Sequence, residues 1–252
     1  MDTMINGYLL RFFPKAKYLN EFRCGAIRMM SAYYYATLKF GGKSLYDNRF
    51  DLTEGMSYLY NNSTGNAIEL TEDAFNIKLG NGVKQICINS EHPNSQIKLS
   101  CYYHLEKIKI PDGKFASELL RMGDDLGEYY CLFTDPRDFL MCVDNRLKQL
   151  MANKRIKQYQ SGAADYLPVE KTNGFSTPIQ KPEGLKWQNE YRIIVNTVCE
   201  SDPFFININN IQNISVCGKK SDLLCGRVVN EDTIQIPNAT ADLLIEPKCE
   251  ND

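Results

Sequence analysis

The apolar residues of this chain occur in short runs that turn-forming residues interrupt, and this pattern restricts the fold more than any other feature. Tyr8–Phe13 is apolar and aromatic and is followed by Pro14. Glu128–Thr134 is a second aromatic run, which Asp135 and Pro136 close. Aromatic and β-branched residues favour strands, and proline rarely continues them. The chain is therefore predicted to build a sheet from short strands, with few helices.

Further runs extend this expectation along the chain. Ala26–Ser31 and Ile97–Ile110 predict strands, and Phe204–Val216 predicts one or two more. Apolar residues at near-helical spacing predict a longer helix over residues 138–159, and a short helix is predicted over 18–24.

The segment around residues 61–110 begins with a stretch rich in Asn, Gly and Ser, which predicts an inserted hairpin or lobe. Nothing else in the chain suggests a domain boundary. We therefore expect a single α+β domain over residues 1–252, with mixed, mostly antiparallel sheets and a few flanking helices.

The composition is that of an ordinary globular protein and excludes several classes. The 252 residues carry 29 Lys and Arg against 31 Asp and Glu, a net charge of −2, which does not suit a dedicated nucleic-acid binder. No run approaches the roughly 20 apolar residues of a membrane helix, and the N-terminus lacks the pattern of a signal peptide. We expect a cytoplasmic protein that does not enter a membrane.

The nine cysteines are scattered along the chain and form no C-x-x-C pair. Because His92 and His104 are the only histidines, a zinc site of the usual spacing is not expected, and no metal cofactor is predicted. Reduced thiols in a cytoplasm are the economical interpretation.

The stretch Trp187–Val195 carries the first candidate site. Its second half is β-branched and aromatic, which predicts a buried strand. If the whole stretch is extended, then Gln188, Glu190 and Arg192 lie on one side of the strand. A carboxylate between an amide and a guanidinium is typical either of a functional site or of a structural ion pair at a strand end. The Pro- and Gly-rich segment Ser161–Glu183 is predicted to be a loop or lid in front of it.

Two earlier positions carry further candidates. Arg11 is a single charge within an apolar strand, which is costly unless the charge is paired or used, or faces solvent at a sheet edge. Ser31 ends the second predicted strand, and Tyr33, Tyr34 and Tyr35 follow it. The tyrosines supply flat rings with hydroxyl groups for a ligand, or simply pack beneath a helix.

In chain order, the basic residue Arg11, the strand-ending Ser31 and the Gln188-x-Glu190 pair resemble the ADP-ribosyltransferase fold of the Arg–Ser–Glu type. The resemblance implies that Arg11 helps to hold NAD and that Ser31 supports the nicotinamide pocket. It implies that Glu190 steadies the ribose as positive charge develops on it, and that Gln188 helps to choose the acceptor. Tyr33 and Tyr34 would then stack on the nicotinamide or adenine ring.

The chain also resembles, more loosely, a large group of uncharacterised prokaryotic proteins. The similarity lies in the segments L-L-R-F-F, F-x-x-G-x-I-x-x-x-S, R-F-D-L-T-E-G, Y-Y-C-L-F, Q-N-E-Y-R-I and I-N-I-N-N-I. It implies a bacterial or phage-related cytoplasmic protein. Arg49, Asp51 and Glu54 belong to one of these recurring blocks and are further candidates on this ground.

Three functional hypotheses follow. The first is NAD-dependent ADP-ribosyl transfer to a protein or nucleic-acid acceptor, as a toxin or phage-defence effector. The second is an NAD glycohydrolase on the same scaffold, with water as the acceptor. The third is a non-catalytic nucleotide- or protein-binding module in which the charges of Arg11, Glu190 and Arg192 are structural. A metal-dependent nuclease that uses Asp51 and Glu54 is less favoured, because no acid-x-Lys strand pattern occurs near them. Convergence of Arg11, Ser31 and Glu190 on one cleft would favour the enzymes.

Overall fold

The computed structural model describes residues 7–37, 56–61, 68–72, 75–82, 85–89, 95–105, 127–168, 174–175, 177–224, 227–230 and 233–235. Its strands are β1 (Tyr8–Phe13), β2 (Ala26–Ser31), β3 (Met56–Asn61), β4 (Ile68–Glu72), β5 (Phe75–Leu79), β6 (Gln85–Asn89), β7 (Ile97–Leu105), β8 (Tyr129–Phe133), β9 (Ile156–Ala163), β10 (Asp165–Leu167), β11 (Gly174–Phe175), β12 (Gln180–Pro182), β13 (Glu190–Thr197), β14 (Phe204–Asn207), β15 (Val216–Lys219), β16 (Arg227–Asn230) and β17 (Thr233–Gln235). Its helices are α1 (Ala16–Arg23), α2 (Ala32–Thr37), α3 (Pro136–Ala152) and α4 (Lys220–Leu224), with 3-10 helices at Glu183–Gln188 and Gln212–Ile214.

An eight-stranded antiparallel sheet organises the molecule, and β7 lies at its centre. Tyr103 of β7 pairs with both Leu10 of β1 and Glu190 of β13, so β1 and β13 lie on opposite edges of β7. Leu99 of β7 likewise pairs with β2 and β13. Strands β1 and β2 therefore pair with different parts of the same edge of β7. Beyond this edge they separate: β1 pairs next with β8, which pairs with β15, and β2 pairs next with β14. Strand β9 lies beyond β13.

The two faces of this sheet are covered by different elements. We call the helix face the one onto which α1 and α3 pack, where Phe22 and Phe139 join Tyr102 in the largest core cluster. The other side, here called the second face, carries two smaller clusters. One surrounds Leu10 and includes Leu223 of α4, and the other surrounds Leu99 and includes residues of α2. Directly opposed residues of antiparallel strands point to the same face, so the register assigns each side chain to one of the two.

Local sequence explains where several elements begin and end. Helix α3 begins after Asp135, whose carboxylate accepts a hydrogen bond from the Arg137 N–H at 3.1 Å, and Pro136 occupies the first turn. Helix α1 is followed by Gly25 in a left-handed conformation (φ +96°). A Cβ atom at Gly25 would lie 2.2 Å from the carbonyl oxygen of Ile208, so a side chain there would clash with the backbone.

The predicted class, α+β with a mostly antiparallel sheet and few helices, is confirmed within the described residues. The strands predicted at Tyr8–Phe13 and Ala26–Ser31 have those bounds. Strand β7 covers the described part of the run predicted as Ile97–Ile110. Helix α1 lies within two residues of its predicted position.

Two predictions of local structure need correction. The helix predicted over 138–159 ends at Ala152, and Tyr159 lies in β9 because that segment pairs with β13. Within the region 161–183, predicted as a loop, β9 continues to Ala163, and β10 pairs in parallel with β12.

The region expected to form an insertion contains strands outside the main sheet. Strands β4 and β5 pair as an antiparallel hairpin, and β3 pairs with β6 and β11. That this region is an insertion into a single domain stays a prediction.

Candidate functional site

The local backbone aims Glu190 at the second face of the sheet. Asn189 has left-handed dihedral angles (φ 41°, ψ 57°) and turns the chain from the 3-10 helix into β13. Asparagine tolerates this conformation better than most residues, and its side-chain amide donates a hydrogen bond to the His104 carbonyl of β7. The turn leaves Glu190 as the first residue of β13, opposite Tyr103.

Three side chains from different strands contact Glu190. Lys181 Nζ of β12 donates to Glu190 Oε1 at 2.9 Å, and Arg192 Nε donates to Oε2 at 3.0 Å. The Glu190 backbone N–H donates to the hydroxyl oxygen of Tyr166 in β10 at 2.9 Å. Lys181, Arg192 and Glu190 have side chains that are 4%, 1% and 12% exposed, so Glu190 is the one of the three that solvent reaches most. We call these residues, with Gln188, the Glu190 cluster.

Strand pairing brings the side chains of the Glu190 cluster together and leaves space for them. Lys181 and Tyr166 are direct partners in the parallel β10–β12 pair. Arg192 lies opposite Gly162 of β9, where no side chain competes for space on the second face. The Arg192 guanidinium also donates to the Pro178 carbonyl. The segment that leads into β12 is thereby tied to β13.

Electrostatics keeps the Glu190 carboxylate ionised. Burial by itself raises the pKa of Glu190, but the charges and hydrogen bonds of Lys181 and Arg192 outweigh it and lower the pKa to about 2. Burial raises the pKa of the Tyr166 phenol, so this hydroxyl stays protonated at neutral pH. Two cations against one carboxylate give the cluster a net charge of +1. The cluster therefore combines one fixed carboxylate with a net positive charge, and this net charge attracts anionic ligands.

Gln188 reaches the cluster, but not by the geometry that the sequence suggests. It is the last residue of the 3-10 helix, and the reversal at Asn189 breaks the strand alternation that was predicted to align it with Glu190. Its side chain is buried, and its amide oxygen accepts a hydrogen bond from Lys181 Nζ. The predicted alignment holds for Arg192, which shares the strand and the face with Glu190.

Arg11 lies on the helix face, away from Glu190. Leu10, Tyr103 and Glu190 are register partners on the second face, so Arg11, the next residue of β1, points the opposite way. Its guanidinium donates to Ser100 Oγ at 2.5 Å, to the Tyr102 hydroxyl at 3.3 Å and to the Arg28 carbonyl at 3.1 Å.

Aromatic rings complete the surroundings of Arg11. Its guanidinium carbon lies 5.3 Å from the ring centres of Phe22 and Tyr102 and 5.6 Å from that of Phe13. Strand β1 runs between β7 and β8, so Arg11 does not occupy a sheet edge. Because Arg11 contacts β2 and β7 from β1, it bridges the point at which β1 and β2 separate.

Ser31 belongs to a different buried cluster. Its Oγ accepts a hydrogen bond from the Tyr34 N–H at 3.0 Å at the start of α2, and donates to Asp202 Oδ2 at 2.5 Å. Lys98, with a fully buried side chain, donates to Asp202 Oδ1 at 2.9 Å. Ser31 pairs with Lys98 of β7, whereas Glu190 pairs with Tyr103, five residues further along. At about 3.4 Å per residue, the two positions are roughly 17 Å apart along the strand.

Helix α2 carries the three tyrosines that follow Ser31 and packs onto the second face through Tyr35. Tyr35 packs with Leu99, Ile194 and Ile179 in the cluster on the second face. Tyr33 and Tyr34 are 51% and 38% exposed. Four residues were predicted to bind NAD. Tyr33 and Tyr34 belong to α2, the helix that packs onto the second face, whereas Arg11 lies in β1 and Ser31 in β2.

Lys181 and Tyr166 were not among the candidate residues predicted from the sequence. Both lie in the segment predicted as a loop, and only the parallel pairing of β10 with β12 aims them at Glu190. Arg49, Asp51 and Glu54 lie outside the described residues.

The described residues contain no group of three or more His, Cys, Asp or Glu side chains arranged to hold a metal ion. None of their helices has the length and hydrophobicity needed to span a membrane.

No family model matches the chain, and no significant similarity to a curated protein or to a solved structure was found.

Proposed function

We propose that this protein transfers ADP-ribose from NAD to a protein or nucleic-acid acceptor in the cytoplasm of a prokaryote, with Glu190 as the catalytic carboxylate. One observation carries the proposal. Glu190 is ionised, is held at both oxygens by Lys181 and Arg192, and still exposes 12% of its side chain. A carboxylate fixed in this way suits the stabilisation of a short-lived positive charge.

The reaction explains why a fixed carboxylate matters. Cleavage of the glycosidic bond between nicotinamide and ribose leaves positive charge on the ribose carbon and ring oxygen. A preorganised anion stabilises that charge where it develops and needs little rearrangement during the reaction. Lys181 and Arg192 supply the preorganisation, because each holds one carboxylate oxygen of Glu190.

The surroundings of Glu190 also suit the rest of the substrate. The net charge of +1 on the Glu190 cluster attracts the anionic pyrophosphate of NAD. The exposed rings of Tyr33 and Tyr34 on α2 lie towards the Ser31 end of β7 and not beside Glu190, so in this proposal they would offer flat surfaces for the adenine end of NAD. The buried side chain of Gln188 accepts a hydrogen bond from Lys181, so in this proposal it helps to position Lys181 against Glu190 and does not contact the acceptor. In this proposal Arg11 and Ser31 support the sheet and do not contact NAD.

A non-catalytic nucleotide-binding module is the second candidate, and a specific observation favours it. Both oxygens of Glu190 accept hydrogen bonds from buried cations, while Arg11 lies on the opposite face of the sheet. An ion-pair cluster of this kind serves equally well to fasten β10 and β12 to β13. In that case an anionic ligand would bind without being consumed.

Consumption of NAD by the purified protein separates the candidates. Wild type, Glu190→Gln and the control Glu183→Gln would be incubated with NAD, with and without cell extract. Glu183 is an exposed carboxylate in the neighbouring 3-10 helix. Consumption that needs extract and is lost only in Glu190→Gln supports the transferase, and a biotinylated NAD then labels its acceptor. Consumption without extract indicates the glycohydrolase. Absence of consumption by folded wild type, with NAD binding retained, would establish the binding module.

A further inference from the structure

Two buried cysteines face each other across neighbouring strands on the helix face, remote from Glu190. Cys131 in β8 and Cys217 in β15 are direct register partners, and their side chains belong to the largest core cluster. Their exposed fractions are 0% and 1%. Both are thiols in this structure. No step of the proposed reaction uses them.

Their placement matches the geometry that a disulfide requires. Directly opposed residues of antiparallel strands have Cα atoms about 4.5 or 5.5 Å apart, depending on the type of pair. Disulfides are found with Cα atoms about 4.4–6.8 Å apart, so both types of pair fall within this range. The two sulfur atoms interact closely enough that each shifts the pKa of the other. The register therefore places the two cysteines at a spacing that a disulfide can span.

We propose that Cys131 and Cys217 form a site of reversible oxidation, at which a hydroperoxide converts the two thiols into a cross-strand disulfide. The proposal rests on this register pairing and is independent of the function proposed for Glu190.

The surroundings distinguish the roles of the two thiols. Hydrogen bonding from Cys131, opposed by burial and assisted by Ser215 and the charge of Arg23, lowers the pKa of Cys217. Burial, with the hydrogen bond to Cys217, raises the pKa of Cys131 well above its ordinary value. Among the described residues, Arg23 Nε is buried without a hydrogen-bond partner, which leaves a donor near the thiols. Cys217 is therefore the attacking thiolate, and Cys131 resolves the intermediate.

Position in the sheet explains how a peroxide gains access. Strand β15 has four residues and, among the strands that the structure describes, pairs only with β8. Short strands at a sheet edge open more readily than central strands. Opening of β15 brings Cys217 to solvent, whereas Cys131 stays in β8, which remains paired with β1.

The chemistry balances in two steps. The Cys217 thiolate attacks one oxygen of the hydroperoxide, the O–O bond breaks, and a sulfenic acid forms while the other oxygen leaves as an alcohol or water after taking up a proton. Cys131 then loses its proton, and its sulfur attacks the Cys217 sulfur. The hydroxide that leaves takes up this proton as water. Two thiols are oxidised to one disulfide, and one peroxide is reduced to an alcohol and water.

The test uses the full-length protein and mass mapping of its thiols. Protein treated with tert-butyl hydroperoxide would be denatured, alkylated and digested, and a second sample would first be reduced with dithiothreitol. We expect a linked Cys131–Cys217 peptide, loss of alkylation at both of these residues, and full recovery of both thiols after reduction. Cys217→Ser should abolish the linked peptide, whereas the control Cys142→Ser should retain it.

Cys199 provides an internal reference for the dose of oxidant. It is more exposed than the pair, and a hydrogen bond from Ser201 lowers its pKa. If Cys131 and Cys217 both stay alkylatable in wild type at a dose that oxidises Cys199, the proposal is overturned. A disulfide that joins either residue to a different cysteine would overturn it as well. Both outcomes are read in wild-type protein, so they do not depend on the folding of a variant.

Discussion

Arg11 and Arg192 are two arginines on the same sheet, and the two faces of the sheet accommodate them in different ways. On the helix face, Arg11 donates to the neutral hydroxyls of Ser100 and Tyr102 and lies among aromatic rings. On the second face, Arg192 pairs with the carboxylate of Glu190, which Lys181 also holds. Both arrangements place an arginine inside the sheet, but among the described residues only the second contains a counterion.

This difference separates a supporting residue from a candidate reactive one. The neutral surroundings of Arg11 favour a role in fastening β1, β2 and β7 together. The Glu190 cluster concentrates three charges in one buried place, as functional sites often do. Structural ion-pair networks have the same signature, so the two regions need to be compared by mutation.

Removal of the Arg192 charge should have the largest effect on stability. Arg192→Met leaves the buried Glu190 carboxylate with one cation in place of two, and the Pro178 carbonyl loses a donor. Breaking a buried ion pair in this way costs about 3–5 kcal/mol. Urea unfolding of the variant beside wild type measures the change. A loss below about 1 kcal/mol would show that the cluster is hydrated and contributes little.

Acid should weaken the second face of the sheet before the helix face. The pKa of Glu190 lies at about 2 in the folded protein against an ordinary 4.5, so its ion pairs contribute stability at neutral pH that is lost as the pH falls from about 5 to 2. A shift of this size corresponds to about 3 kcal/mol. Glu190→Gln removes the titration.

Unfolding free energies measured at several pH values would detect this loss. The difference between wild type and Glu190→Gln should shrink with falling pH. A constant difference across this range would contradict the lowered pKa. Glu183→Gln serves as the control, because its carboxylate is exposed and lies in the neighbouring 3-10 helix.

Replacement of Arg11 should cost less than replacement of Arg192. Arg11→Met loses hydrogen bonds to neutral partners and its contacts with the rings, for which about 1–2 kcal/mol is expected. Because Arg11 and Arg192 lie on opposite faces of the sheet, the effect of the double variant should equal the sum of the two single effects within about 0.5 kcal/mol. A larger deviation in urea unfolding would show that the two faces are coupled.

Disruption of an exposed ion pair should have the smallest effect on the free energy of unfolding. Lys17 and Glu21 are four residues apart on α1, with Nζ and Oε1 at 3.7 Å and side chains that are 78% and 41% exposed. Lys17→Met should change the free energy of unfolding by about 0.5 kcal/mol or less, since solvent screens such pairs. An effect as large as that of Arg11→Met would mean that charge alone, and not burial, sets the ranking.

The sequence by itself determined the elements that depend on neighbouring residues. β1 and β2 have their predicted bounds because apolar runs with local stop signals need no distant partner to be recognised. The alignment of Arg192 with Glu190 was predictable for the same reason, since strand alternation has a period of two residues. The α+β class followed from the same short runs.

Tertiary structure decided everything that depends on pairing between distant segments. Lys181 and Tyr166 reach Glu190 through a parallel pair inside a predicted loop, and the left-handed turn at Asn189 removes Gln188 from the strand. The register of β7 with β1 and β13 places Arg11 and Glu190 on opposite faces. A shift of one residue in either pairing would reverse that placement, and no local pattern encodes such a register, because it is set by how the whole sheet packs.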